Sequence, residues 1–131
     1  MITALYASIL GCLWGLLTFY VVLGRWKYRV SLGDGDTNEL HRRIRAHANF
    51  VETVPLALLL LWIGEVHIFT VQWVHTFGIL LVLGRLLHAY GMLVPKYSTN
   101  RFRQTGMTLT IAMVVGGSVW TLWTMCCNGV V

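Results

Sequence analysis

The sequence predicts an all-α integral membrane protein, a four-transmembrane-helix bundle in one domain spanning residues 1–131. Two observations carry this. Of the 131 residues, 56% are hydrophobic and only 11% are charged, where an ordinary soluble domain is about one quarter charged. Four apolar stretches are long enough to cross a bilayer as helices. The same composition excludes a disordered chain. Three cysteines are also too few to staple a small secreted fold.

The first helix is expected over residues 2–24, which hold no charged side chain and exceed the roughly 20 residues needed to span hydrocarbon. No basic residue precedes this run, and it is too long for the apolar core of a secretion signal, so it is read as retained. The loop that follows carries the turn-forming cluster Gly33-Asp34-Gly35-Asp36. Asp36 followed by Glu39 has the spacing of a capping box, which starts the second helix near Thr37. That helix is expected over 37–64, with its first turns outside the membrane. A short turn at Glu65–His67 makes helices two and three an antiparallel hairpin. The third helix is expected over 68–94, ended by Pro95, and the fourth over 104–127. Strands are excluded, because an open strand edge cannot be satisfied in lipid.

Charge sets the orientation. Arg25, Lys27, Arg29, Arg42, Arg43 and Arg45 flank the first loop, and Arg85, Lys96, Arg101 and Arg103 flank the third, which accounts for all 10 basic residues. Basic loops stay cytoplasmic, so both termini are expected outside. The net charge of +5 is thereby gathered on one face, and nucleic acid is not needed to explain it. Trp26, Tyr28 and Tyr97 fit an aromatic belt on that side, with Trp62, Trp73 and Trp123 on the other. Small residues at Ser8, Gly11 and Gly15 and at Ala112, Gly116 and Gly117 would let another helix approach closely.

The polar stripe on the second helix is the informative feature. Arg42, Arg45, Asn49 and Glu52 fall within an arc of roughly 80° on a 3.6-residue helix. Glu52 precedes an apolar run, so its carboxylate lies near the start of the hydrocarbon, where it needs a partner and by default marks a functional site. Arg85 is the expected partner, because Arg45 stands two turns away. On the third helix, Arg85 and His88 share one face. A buried Glu52–Arg85 pair that only fixes packing would account for those two residues. It would leave Arg45, Asn49, His88 and Arg103 without a task, whereas a convergent, mostly cationic cluster suits an anionic ligand.

Other polar residues carry less. His47 points away from the stripe, Tyr90 turns away from Arg85, and His75 lies in the outer half of its helix. Bis-histidine haem ligation would need facing histidines at matched depth. Cys12, Cys126 and Cys127 have no metal-ligand spacing, and none lies beside the basic cluster that would activate a thiol. No metal is expected.

The segments Arg45-Ala46-His47-Ala48-Asn49-Phe50-Val51-Glu52 and Gly84-Arg85-Leu86-Leu87-His88 resemble the MAPEG superfamily, the membrane-associated proteins of eicosanoid and glutathione metabolism. The resemblance runs over essentially the whole chain. The short loops and the Arg103-Gln-Thr-Gly106-Met107 segment are most similar to its small bacterial inner-membrane members. It implies a homotrimer, with glutathione as co-substrate bound between neighbouring protomers near the cytoplasmic boundary and a hydrophobic electrophile or lipid arriving through the membrane. By the same resemblance, Arg45, Asn49 and Glu52 hold the peptide's polar groups, with Glu52 suited to its amino group. Arg85 and His88 line the site, and Arg103, with Arg101 in reserve, stabilises the thiolate. Arg25 or Arg29 contacts a carboxylate of the peptide, and Arg42 extends the stripe. The implied activity is that of a glutathione transferase or peroxidase. Two positions depart from the family pattern: Ala48 stands where prostaglandin-synthase-like members carry arginine, and Met92 where several members carry tyrosine.

Two other readings remain open. The departures at Ala48 and Met92 suit a binding or scaffold protein without turnover. A four-helix drug exporter would also carry a membrane glutamate, but on its first helix, where this chain has none.

Overall fold

The computed structural model describes residues 1–94 and 100–127. Four helices follow one another: α1 (Thr3–Tyr28), α2 (Asn38–His67), α3 (Val71–Leu93) and α4 (Arg101–Cys127). Each is long and apolar enough to cross a membrane, and the described residues contain no strand. They run up, down, up and down. The C-terminal ends of α1 and α3 therefore meet the N-terminal ends of α2 and α4, which makes one basic end. Among the described residues, α3 packs against all three other helices, α2 also touches α1 and α4, and α1 and α4 make no contact.

The core is a narrow column of Leu10, Leu61, Val74, Leu81 and Met113, with Phe50, Val54 and Ala57 facing inward from α2. Large apolar side chains such as Leu16 and Leu122 stay exposed, as suits helices whose outer solvent is lipid rather than water. Far from the basic end, Phe69, Trp73, Phe77 and Trp120 form an aromatic cluster of tilted and edge-to-face rings. Glu65 caps α1 there by accepting hydrogen bonds from the amides of Ile2 (2.5 Å) and Thr3 (2.7 Å). A carboxylate at a helix N-terminus satisfies free amides and complements the helix dipole.

Several expected boundaries move, each for a local reason. Helix α1 runs a turn past Gly24 to Tyr28, because leaving the apolar run does not end a helix. It stops where Arg29 turns left-handed (φ 55°) and Val30 donates back to Arg25 O at 3.1 Å. Residues 65–67 are the last turn of α2 rather than the interhelical turn. The chain reverses at 68–70, where the amides of Ile68 and Phe69 both reach Gly64 O and the Phe69 ring covers that glycine. The capping box is not formed. Thr37 precedes α2 without a side-chain cap, Asp36 adopts φ 55°, and Glu39 bonds Lys27, Tyr28 and Arg43. Helix α2 continues through Pro55, although the proline removes the donor that would reach the Val51 carbonyl. Pro95, Lys96 and Tyr97 lie outside the described residues.

The closest helix approach falls on α3 and α4, not on the expected small-residue stripes. A Cβ on Gly91 would collide with the Arg103 backbone, one on Gly106 with the His88 backbone, and one on Gly84 with the Thr110 hydroxyl and Gly106 O. Gly91 with Arg103, His88 with Gly106 and Gly84 with Thr110 define one antiparallel register. Within the protomer nothing stands over Gly11, Gly15 or Gly116.

Candidate functional site

The register between α3 and α4 builds a buried polar centre at the basic end. Arg85, 1% exposed, leaves α3 between α2 and α4. Its Nη1 donates to Asn49 Oδ1 at 2.8 Å and to Thr53 Oγ1 at 2.9 Å, and its Nε donates to Thr110 Oγ1 at 3.0 Å. Its Nη2 has the Met107 sulfur at 3.9 Å. Thr110 is 2% exposed and passes its own hydroxyl proton to Gly106 O at 3.0 Å, so its lone pairs are turned to the guanidinium. Among the described residues no carboxylate forms an ion pair with Arg85. The charge is held entirely by neutral acceptors.

The expected Glu52–Arg85 pair is therefore replaced by another. Glu52 Oε1 stands 3.8 Å from Arg45 Nη1, even though the two are seven residues apart on α2. Both side chains are long and lie along the outer face, so they bridge two turns past Asn49. The side chains of Arg45 and Glu52 are 48% and 56% exposed. This leaves an ion pair on the outer surface of one protomer.

The remaining expected site residues distribute as follows. His88 is buried one turn beyond Arg85, its backbone against Gly106. Arg101 and Arg103 both lie in the exposed first turn of α4, and Arg103 is carried on the backbone that meets Gly91. Arg42 lines a cavity of about 270 Å³ with Tyr20, Asn38, Glu39, Arg43 and Leu93. Arg29 forms the exposed C-cap of α1. Arg25 turns into the first loop, where its Nη1 donates to Ser31 O (3.1 Å) and Gly33 O (3.2 Å). The structure thus joins Asn49 to Arg85 and Arg45 to Glu52, while Arg25 serves its own loop.

Three participants escape the sequence pattern. Thr53 extends the stripe one turn beyond Asn49, a signal available from the spacing. Thr110 is recognisable only once the α3–α4 register is known. Arg43, one of the charges that set orientation, is buried. Its guanidinium lies 3.8 Å from the Tyr20 ring centroid, its Nη1 donates to Tyr20 O at 3.0 Å and its Nη2 to Glu39 at 2.5 Å. With Lys27 and Tyr28 also on Glu39, this knot ties the end of α1 to the start of α2.

In the first loop, the Nδ1–H of His41 donates to Asp34 Oδ2 at 2.7 Å, and the Asp36 amide donates to Asp34 Oδ1 at 3.2 Å. These bonds, that of His41 foremost, hold the Asp34 carboxyl below the usual carboxylate range. Gly33 and Gly35 take positive φ in this turn, conformations open to glycine without strain.

The model of the MAPEG family matches residues 3–123. The chain is 38% identical over 125 residues to the inner membrane protein YecN of Escherichia coli (strain K12), covering 95% of this chain and 93% of that protein. YecN of a second Escherichia coli strain matches to the same extent.

Proposed function

The chain belongs to the MAPEG family, and on that premise we propose that it is a glutathione-dependent transferase or peroxidase acting on lipophilic electrophiles. The observation that carries the reading is Arg85: a guanidinium buried between α2, α3 and α4 with no ion-pair partner among the described residues. Burying an uncompensated charge is costly. A negatively charged ligand seated against the Asn49–Arg85 centre supplies the missing countercharge, and glutathione is an anion.

The Arg45–Glu52 pair suits the same ligand. An α-amino group can take Arg45's place on Glu52, and the released guanidinium can take a carboxylate. An ion pair so exposed on a membrane helix also calls for cover. A second copy of the chain provides it, consistent with a homotrimer that holds glutathione between protomers. The relatives are inner membrane proteins by name. We assign this chain to the same membrane, with the basic end and the site facing the cytoplasm and both termini outside.

A free thiol with a pKa near ~8.5 is mostly protonated at neutral pH and a poor nucleophile. Arg103 beside the sulfur favours the thiolate, each unit of depression corresponding to about 1.4 kcal/mol. In conjugation the sulfur bonds the electrophilic carbon, the leaving group departs with its electron pair, and the thiol proton passes to solvent. Arg101 is the alternative cation for this role. Lipid dissolves the second substrate and delivers it to the interface.

A second reading, a MAPEG-type binding scaffold without turnover, is favoured by Ala48 and by half-buried Met92 one turn after His88. Purified protein in detergent separates the two. Glutathione binding followed by conjugation of an aryl halide supports the enzyme, and binding without conjugation supports the scaffold. Absence of binding overturns both.

A further inference from the structure

Arg103 is exposed and sits in the first turn of α4, where a helix end frays unless it is held. Asn100 holds it. The Asn100 Oδ1 accepts from the Arg103 amide at 2.9 Å, and the Gln104 amide donates to Asn100 O at 3.2 Å. This is the N-cap arrangement, satisfying one free amide of the helix and beginning its hydrogen-bond ladder. The other half of the same side chain reaches the neighbouring helix, its Nδ2 donating to Gly91 O at 2.6 Å. Gly91 is also where the Arg103 backbone lies too close to α3 for any Cβ to fit. One amide side chain therefore bonds both members of the Gly91–Arg103 contact, and that contact ends the register that sets His88 against Gly106 and Arg85 against Thr110.

We propose that Asn100 is a positioning residue for Arg103. By bridging Gly91 O and the Arg103 amide, it fixes where the guanidinium stem leaves α4 relative to Arg85 and His88. At 1.5 Å per residue the stem emerges about 10 Å along α4 from Thr110, the level of Arg85. An α4 end that frays or slides moves the Arg103 stem relative to the buried Arg85 and His88. The inference rests on the proposed function, because it gives Arg103 the thiol as its target.

The test compares the purified full-length parent with Asn100→Ala, Asn100→Asp and Arg103→Ala. Three quantities are read: glutathione affinity, turnover at saturating glutathione, and the pH dependence of the ultraviolet thiolate band of the bound peptide. Asn100→Ala is expected to retain glutathione affinity within about threefold. It is expected to lose about tenfold in turnover and to move the thiolate transition toward that of free glutathione. Asn100→Asp keeps the cap acceptor but cannot donate to Gly91 O, so it is expected to fall between parent and Asn100→Ala. It also serves as the informative variant should Asn100→Ala not fold. The double variant with Arg103→Ala is expected to be no worse than Arg103→Ala alone.

A thiolate transition at the parent's pH in both Asn100 variants, beside a shifted one in Arg103→Ala, overturns the positioning role and leaves the proposed function standing. A parent that binds no glutathione overturns the proposed function itself.

Discussion

Arg85 on α3 donates through Nη1 to the side-chain oxygen Oδ1 of Asn49 on α2 at 2.8 Å, while its Nε donates to Thr110 Oγ1 on α4 at 3.0 Å. One guanidinium thus couples three helices. Because the charge is 1% exposed, each acceptor it loses leaves a buried donor unpaired. Thr53→Val and Thr110→Val are each expected to destabilise the folded protein by about 1–3 kcal/mol. Equilibrium unfolding in mixed micelles checks this, with Thr108→Val, an exposed α4 position, expected to stay within about 0.5 kcal/mol.

Glu52 lies outside this centre, paired with Arg45 on the open face of α2. Glu52→Ala is expected to weaken glutathione binding by about 1.5–3 kcal/mol, the range for a hydrogen bond to a charged group. Turnover at saturation should change much less. Arg103→Ala is expected to show the opposite split, losing turnover more than affinity. Calorimetric affinities and initial rates on the same preparations check the pair.

Glycine positions separate contacts within a protomer from surfaces open to a second copy. Gly91→Ala and Gly106→Ala put a Cβ into the backbones of Arg103 and His88. Each is expected to cost about 1–3 kcal/mol through overpacking. Nothing stands over Gly11 or Gly116, so alanine there is expected to leave protomer stability unchanged or to raise it by up to about 1 kcal/mol, the helix-propensity gain over glycine. Thermal unfolding of the four variants checks the ranking, and a fall in oligomer mass for Gly11→Ala or Gly116→Ala would mark an intersubunit contact.

The first loop carries a pH dependence of known sign. Hydrogen bonds from His41 and the Asp36 amide hold the Asp34 carboxyl below its ordinary value. Its folded pKa therefore lies under the unfolded one near ~4. The associated stabilisation is fully present above that unfolded value and is lost as pH falls through the folded one. Protection of the Asp36 amide, which donates to the Asp34 carboxylate, is expected to drop at acid pH in the parent. Asp34→Asn is expected to remove that dependence, as amide hydrogen exchange would register.

Periodicity made the stripe of Arg42, Arg45, Asn49 and Glu52 legible, and run length made the four helices legible, because both depend only on spacing along one helix. Pairing across helices did not follow. Glu52 and Arg85 share a depth, but the Gly84–Thr110 and His88–Gly106 contacts bring α4 close enough to α3 for Arg85 to be held by Thr110 as well as by Asn49 and Thr53. Glu52 is left to Arg45. The glycines that set this register, Gly84, Gly91 and Gly106, look no different in sequence from Gly11 and Gly116, which meet nothing inside the protomer. Helix α4 begins at Arg101 rather than at residue 104 because Asn100 caps it, a role that composition alone does not reveal.

The proposed function has cations and amides of α2, α3 and α4 seat an anionic thiol peptide where two copies of the chain meet. An experimental structure of the purified oligomer with bound glutathione tests it most directly. Three protomers are expected, with a peptide between Arg45, Asn49 and Glu52 of one copy and a neighbouring copy, and the sulfur next to a guanidinium from the start of α4. Arginines fanned outward toward lipid head groups over an empty interface, with Arg45 still on Glu52 at saturating glutathione, would contradict it.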